Sequence, residues 1–295
     1  MNPYLQTARL KTLLLSIASI ATMGSVSYFL GNFKPLIFFL TLTTALLLQI
    51  LSNFANDYGD LKKGSDIERI GEKRAIHLNQ ISEFQLKKAI YYVIGLSIIS
   101  GFLLIMVSVH SLQDFIVFIS LGLLSIVASI TYTVGKKPYG YCGLGDLSVL
   151  IFFGFIAIFG GFYLQNSSVH YDLFFPSLGA GLLAVGVLNI NNLRDARLDS
   201  VNNKNTLIVK MGITYGKVYH FILLSLALLS FIIFALVHHF HFYGYLFLLS
   251  IPLFYKNIKA VITFKDGLEL KPYLAQMAKT AFICQMLFVI GVCLH

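Results

Sequence analysis

The chain has 295 residues, of which 57% are hydrophobic and 12% charged, and its mean hydropathy is +0.78. A soluble domain is usually about 25% charged, so the composition excludes a soluble globular protein and describes an all-α integral membrane protein. The net charge of +9 points, in a polytopic protein, to loop charges that set orientation and not to nucleic-acid binding.

A hydrocarbon core about 30 Å thick needs roughly 20 apolar residues per helix. In chain order this rule predicts about nine spans, near 12–31, 35–56, 88–109, 114–134, 145–164, 171–192, 217–237, 241–256 and 275–294. The first is a span and not a cleavable signal, because Leu13–Leu30 is long enough to cross and no small-residue cleavage site precedes a soluble domain. Spans five and six are rich in glycine, which suits close helix packing in lipid. The eighth is short and carries Pro252. Cys142, Cys284 and Cys293 show no paired spacing, and the latter two read as buried thiols in an apolar segment. His238, His239 and His241 fall in a short interfacial loop. Residues 1–295 therefore read as a single membrane domain with no feature that calls for an obligatory protein partner.

Loop charge sets the expected orientation. Lys34 is the only Lys or Arg in the short loops after spans one, three, five and seven. The others lie at the N-terminus, in the loops after even-numbered spans, or just inside the flanking spans. The positive-inside rule places that side, with the N-terminus, in the cytoplasm.

Five of the 13 acidic residues lie in two short stretches on that same face. The first is Asn53-Phe-Ala-Asn56-Asp57-Tyr-Gly-Asp60, running on to Asp66, after span two. The second is Asn191-Asn192-Leu-Arg194-Asp195-Ala-Arg197-Leu-Asp199, after span six. Carboxylates beside hydrocarbon are costly and mark function. On a helix, Asn53, Asp57 and Asp60 share one face, and Asn192, Asp195 and Asp199 repeat the spacing. Two such faces opposed would form an oxygen-rich pocket for a hard cation such as Mg2+. Lys62, Lys63, Arg69, Lys73 and Arg74 follow the first cluster, and Arg194, Arg197, Lys204 and Lys210 accompany the second. Metal and bases together suit a polyphosphate. Local pairing of Arg with Asp along a helix end is the plainer account of Arg194 and Arg197. The third polar stretch, Tyr132 to Asp146, follows span four, and its tyrosines could face a developing cation.

These words resemble the UbiA superfamily of membrane prenyltransferases. Asn56-Asp57-Tyr-Gly-Asp60 matches its first acidic motif and Asp195-Ala-Arg-Leu-Asp199 its second. Lys63-Gly-Ser-Asp66, Lys204-Asn-Thr-Leu207, Tyr139-Gly-Tyr141-Cys-Gly-Leu-Gly-Asp146 and Ala8-Arg9-Leu-Lys-Thr12 are closest to the 1,4-dihydroxy-2-naphthoate polyprenyltransferase branch. Leu10 and Glu72 stand where that family commonly has Pro. The resemblance implies nine helices around a central cavity, Mg2+, an isoprenyl diphosphate and an aromatic acceptor, dihydroxynaphthoate. It implies transfer of the prenyl group with loss of CO2, giving demethylmenaquinone.

On that reading Asp57, Asp60, Asp195 and Asp199 hold Mg2+ and serve catalysis. Asp146 orients or deprotonates a ring hydroxyl, with a helix N-cap as its plain alternative. Lys136 or Lys137 holds the acceptor carboxylate. Asn53, Asn56, Lys63, Asp66, Lys73, Arg74, Tyr132, Tyr139, Asn192, Arg194 and Lys204 complete the substrate-binding set. The rival readings are a UbiA-type enzyme with another acceptor (4-hydroxybenzoate, homogentisate, a chlorin, haem or a glycerol phosphate) and a cation-coupled transporter.

Overall fold

The computed structural model describes residues 2–63, 74–76, 78 and 80–295. Among them, nine helices are long and apolar enough to cross a membrane: Leu10–Phe29, Pro35–Lys63, Glu83–Ser108, Leu112–Thr131, Gly145–Asn166, Tyr171–Val201, Ile213–Val237, Phe242–Thr263 and Gly267–Cys293. They are called spans one to nine below. No strand occurs among the described residues. The protein is an integral, multi-pass membrane protein.

Local chemistry sets the starts of these helices. Ser82 accepts from the Gln85 amide while the Gln85 side chain accepts from the Ser82 amide, a capping box that opens span three. Ser111 opens span four by accepting from the Asp114 amide. Pro252, expected to interrupt span eight, instead sits in the first turn of its α-helical half, Ile251–Thr263, where a missing N–H costs nothing. The preceding half, Phe242–Ser250, is wound as a 3-10 helix.

Spans two and six run well past their apolar windows, to Lys63 and Val201. Hydropathy falls at each polar motif, but the backbone ladder continues, because the amides there still need internal partners. Both motifs therefore ride on the last turns of rigid helices, not in the loops after them.

Span six is the most enclosed, with 78% of its apolar window buried, whereas span four has 6% buried and faces lipid over most of its surface. The main core joins spans one, five, six, seven, eight and nine, with Phe231, Phe234, Phe247 and Phe288 fully buried in its aromatic part. Span five winds as a π-helix over Leu150–Gly160. There Gly154 meets the Ser177 carbonyl and Gly181 of span six, an approach that no side chain would permit. The three cysteines are free; Cys284 is buried as expected, but Cys293 is exposed at the last turn of span nine. His238 stands in the loop between spans seven and eight with Nε2 3.0 Å from Asp172 Oδ2.

Candidate active site

Spans one to six and span nine surround a cavity of about 970 Å3, and spans seven and eight contribute nothing to its lining. Asn53, Asn56, Asp57 and Asp60 line it from span two, and Asn192, Arg194, Asp195 and Asp199 from span six. Tyr132, Tyr139 and Asp146 line it from the connection into span five, together with Arg74 and Lys204. The two acidic faces thus open into one space.

Asp57 and Asp60 are 2% and 3% exposed, and charges so deeply buried persist only when paired. Asp57 Oδ1 is 2.5 Å from Arg9 Nη2 and 2.8 Å from Arg74 Nη1. Asp60 Oδ2 is 2.6 Å from Arg74 Nη2, and its Oδ1 accepts from the Tyr141 hydroxyl at 2.5 Å. Arg74 Nη1 also donates to the Asn56 carbonyl at 3.0 Å. In the second motif Arg194 clasps its neighbour Asp195 with both forks, Nε to Oδ1 at 2.7 Å and Nη2 to Oδ2 at 2.5 Å. Asp199 Oδ1 lies 3.6 Å from Lys204 Nζ, while Oδ2 is buried without a hydrogen-bond partner.

Tyr141 joins the motifs. Its hydroxyl holds Asp60, and the ammonium groups of Lys63 and Lys204 lie 4.3 and 5.2 Å from its ring centroid. Lys204 in turn reaches Asp199. A continuous path of charge and π-face contacts therefore runs from the first motif to the second.

The connection between spans four and five is moulded onto the first motif. Thr133 Oγ1 donates to Asn56 Oδ1. A Cβ on Gly59 would stand 2.8 Å from the Thr133 carbonyl oxygen, so only glycine admits this crossing. Tyr132 and Tyr139 pack edge to face at 5.2 Å. The Tyr139 hydroxyl donates to the Ala128 carbonyl at 2.9 Å and lies 3.1 Å from Ser148 Oγ. Burial, reinforced by the carboxylate of Asp146, pushes the Tyr132 phenol above its usual range, so its proton stays on.

Asp146 is 6% exposed and neither carboxylate oxygen has a hydrogen-bond partner. It sits in the first turn of its helix, but its side chain caps nothing; Leu144 holds the N-cap position. The N-cap alternative is thereby corrected.

Other expectations fall differently. Lys136 and Lys137 are exposed and do not line the cavity. The chain turns at Gly135 with φ +118°, and both lysines stand exposed on that turn, apart from the cavity in which the acceptor carboxylate was expected. Lys63 likewise lies outside the lining, over Tyr141. Arg197 is exposed and points away from the cavity. Asp66, Arg69 and Lys73 lie outside the described residues. Among the described residues no three acidic, His or Cys side chains come close enough to cage one cation; basic side chains stand between the acids.

Arg9 and Tyr141 are the functional-looking residues that sequence reasoning passed over, both having been read only as part of matching words. Arg9 occupies the left-handed region, φ 52° and ψ 61°, at the break between the helix Pro3–Ala8 and span one. That break aims its guanidinium into the cavity, and Asn53 fastens it by donating to the Ala8 carbonyl at 2.9 Å. Deeper in, Gln49 donates to the Thr12 carbonyl at 2.7 Å and accepts from Ser16.

Residues 16–271 match the UbiA prenyltransferase family. The chain belongs to that family. This UbiA-family chain is 47% identical, over 97% of its length and 94% of the relative's, to a 1,4-dihydroxy-2-naphthoate octaprenyltransferase of Haemophilus influenzae. It is 44% identical, over 98% of its length and 94% of the relative's, to the protein of the same name in Escherichia coli. Among solved structures it superposes on a UbiA homologue from Aeropyrum pernix with TM-score 0.74 at 14% identity, covering 96% of this chain and 98% of that one. It also matches an Archaeoglobus fulgidus UbiA homologue bound to GPP and Mg2+, with TM-score 0.61 at 13% identity over 97% and 99% of the two chains. These likenesses agree with the nine-helix fold. The chain is a prenyltransferase, and the transporter reading is set aside.

Proposed function

We propose that this enzyme transfers a polyprenyl group from an isoprenyl diphosphate to 1,4-dihydroxy-2-naphthoate with loss of CO2, giving demethylmenaquinol, the reduced form of demethylmenaquinone. The reading rests on the near full-length identity to relatives named for that reaction, which spans both acidic motifs and the Tyr132–Asp146 stretch between them. We place the enzyme in the cytoplasmic membrane with its N-terminus and polar motifs on the cytoplasmic side, from the distribution of Lys and Arg.

The residues present fit Mg2+. The donor set is oxygen only, from Asp57, Asp60, Asp195 and Asp199, and the buried Asp199 Oδ2 has no partner of its own. Hard divalent cations take such ligands and share them with substrate phosphates. Mg2+ bound there would neutralise the diphosphate and stabilise it as a leaving group.

The chain's own groups do the rest. Arg9, Arg74, Arg194 and Lys204 supply positive charge around the diphosphate as the allylic C–O bond breaks and its electron pair leaves with the phosphate. The cavity walls of spans three to five keep water from the allyl cation. The carboxyl-bearing ring carbon of the acceptor attacks the allyl cation, forming the new C–C bond. Asp146 takes the proton of the adjacent ring hydroxyl, its unpartnered oxygens being free to receive it. The carboxyl group then leaves as CO2, the electron pair of its bond to the ring restores the aromatic ring, and Asp146 returns its proton to the ring oxygen to give the hydroquinone. The prenyl tail lies among the apolar residues Phe118, Phe152, Phe153 and Leu164.

Incubating membranes with carboxyl-labelled dihydroxynaphthoate and a prenyl diphosphate tests this reading. Labelled CO2 should appear in step with prenylated product. A product that keeps its carboxylate, or a preference for 4-hydroxybenzoate, would move the chain to another acceptor.

A further inference from the structure

Arg197 stands inside the second acidic motif but on the opposite face of span six, and it opens onto a separate cleft of about 210 Å3. Lys217 of span seven, Lys265 of the turn between spans eight and nine, and Arg194, whose guanidinium is held by Asp195, complete its basic lining, against one acid, Asp266. Asp266 is occupied, accepting from the Leu268 amide at 2.8 Å to cap the next turn. Lys217 Nζ is fixed by donating to the Ile262 and Phe264 carbonyls at 2.9 and 2.8 Å, with the Phe264 ring 4.2 Å away. The side chains of Arg197 and Lys265 have neither hydrogen bond nor ion pair among the described residues, and both are exposed. The start of span seven, Ile213, also lines the cleft, and its N-cap, Gly212, offers no side-chain bond to the first amides. Besides Arg194, which Asp195 engages, three cations and an uncapped 25-residue helix thus converge on one anion-sized space.

The level of the cleft identifies the anion. Span seven begins at Ile213, span eight ends at Thr263 and span nine begins at Gly267, so the cleft lies where the hydrocarbon stops. Beside it, Val218 follows Lys217 on span seven and Ile262 offers its carbonyl to Lys217 from span eight, and each is 54% exposed. A free phosphate has no use for that apolar flank, whereas the acyl chains of a phospholipid do. We propose that Arg197, Lys217 and Lys265 form a site for the phosphate of an anionic phospholipid headgroup. Arg194 lines both spaces, but Arg197, Lys217 and Lys265 all lie outside the reaction cavity, so the site stands whatever the acceptor proves to be. Gly267 packs on the Arg194 backbone, so a lipid held here steadies the turn of span six that carries Asp195 and Asp199.

The test uses full-length protein in nanodiscs of phosphatidylcholine with graded phosphatidylglycerol, and native mass spectrometry to count retained phosphatidylglycerol. Each interfacial base is worth about fivefold in affinity for anionic lipid, so R197Q/K265Q should weaken retention about thirtyfold. Lys256 and Lys259 lie outside the cleft, and K256Q/K259Q, which removes the same charge, should keep wild-type retention. Equal loss in both pairs would reduce the effect to general surface charge and overturn the site. Unchanged retention in R197Q/K265Q would overturn it as well. Displacement of phosphatidylglycerol by millimolar inorganic phosphate would show a free-anion site and reject the lipid. Turnover in phosphatidylcholine alone should be the same for wild type and K265Q, and phosphatidylglycerol should raise it more in wild type.

Discussion

The hydroxyl of Tyr141 donates a 2.5 Å hydrogen bond to Asp60 Oδ1 from a different connection of the chain. Through its ring, Tyr141 also touches Lys63 and Lys204. One side chain therefore braces the first acidic motif against the bases that serve the second. A hydrogen bond to a charged group contributes about 1.5–3 kcal/mol. Tyr141→Phe should keep the fold and the ring contacts but lower kcat/KM for the prenyl diphosphate about tenfold or more. A variant with wild-type kinetics would show that the Tyr141 hydroxyl does not position Asp60.

Removal of divalent metal should stop turnover, and Mg2+ should restore it. Asp57→Ala and Asp195→Ala should each abolish activity in protein that still inserts and purifies, because residues of one charge-binding unit fail together. Asp57→Ala also leaves Arg9 and Arg74 without a shared carboxylate. Full turnover in EDTA would remove the metal from the mechanism.

Asp146→Asn preserves shape and removes the base. It should lower kcat about a hundredfold or more, within the range for a lost proton acceptor, and leave KM for the diphosphate unchanged. A loss confined to KM for the acceptor would make Asp146 a binding group instead.

Lys136→Ala and Lys137→Ala should leave KM for the aromatic acceptor at the wild-type value, because both side chains sit outside the cavity. A rise in that KM alone would return one of them to the acceptor carboxylate.

Gly59→Ala places a Cβ 2.8 Å from the Thr133 carbonyl. Overpacking of this kind costs about 1–3 kcal/mol. The variant should melt lower in detergent and lose activity by displacing Asn56, Asp57 and Asp60. The same substitution at Gly95, which meets nothing within 4 Å and lies outside the cavity lining, is the control and should behave as wild type.

Much of this protein was legible without coordinates, because its main constraint is local. Twenty apolar residues in a row must form a helix in lipid to satisfy their own amides, so the nine spans followed from composition. The i, i+4, i+7 spacing of Asn53, Asp57 and Asp60 likewise placed them on one helix face, as it did Asn192, Asp195 and Asp199. What hydropathy could not mark was where spans two and six end, since a helix persists wherever its backbone bonds do, through Lys63 and Val201. Pairings across long sequence separation were equally hidden. Arg9 meets Asp57 and Tyr141 meets Asp60 only after the helices have packed, and nothing in either neighbourhood announces the partner. Side-chain direction was decided last: Lys136 and Lys137 stand inside the Tyr132–Asp146 stretch but are exposed at the turn of Gly135, and Arg197 lies between two cavity acids but about half a turn round the helix, on a different cleft. Spacing along one helix is a property of the chain by itself, whereas the neighbour across a cavity is set by how nine helices share their buried faces.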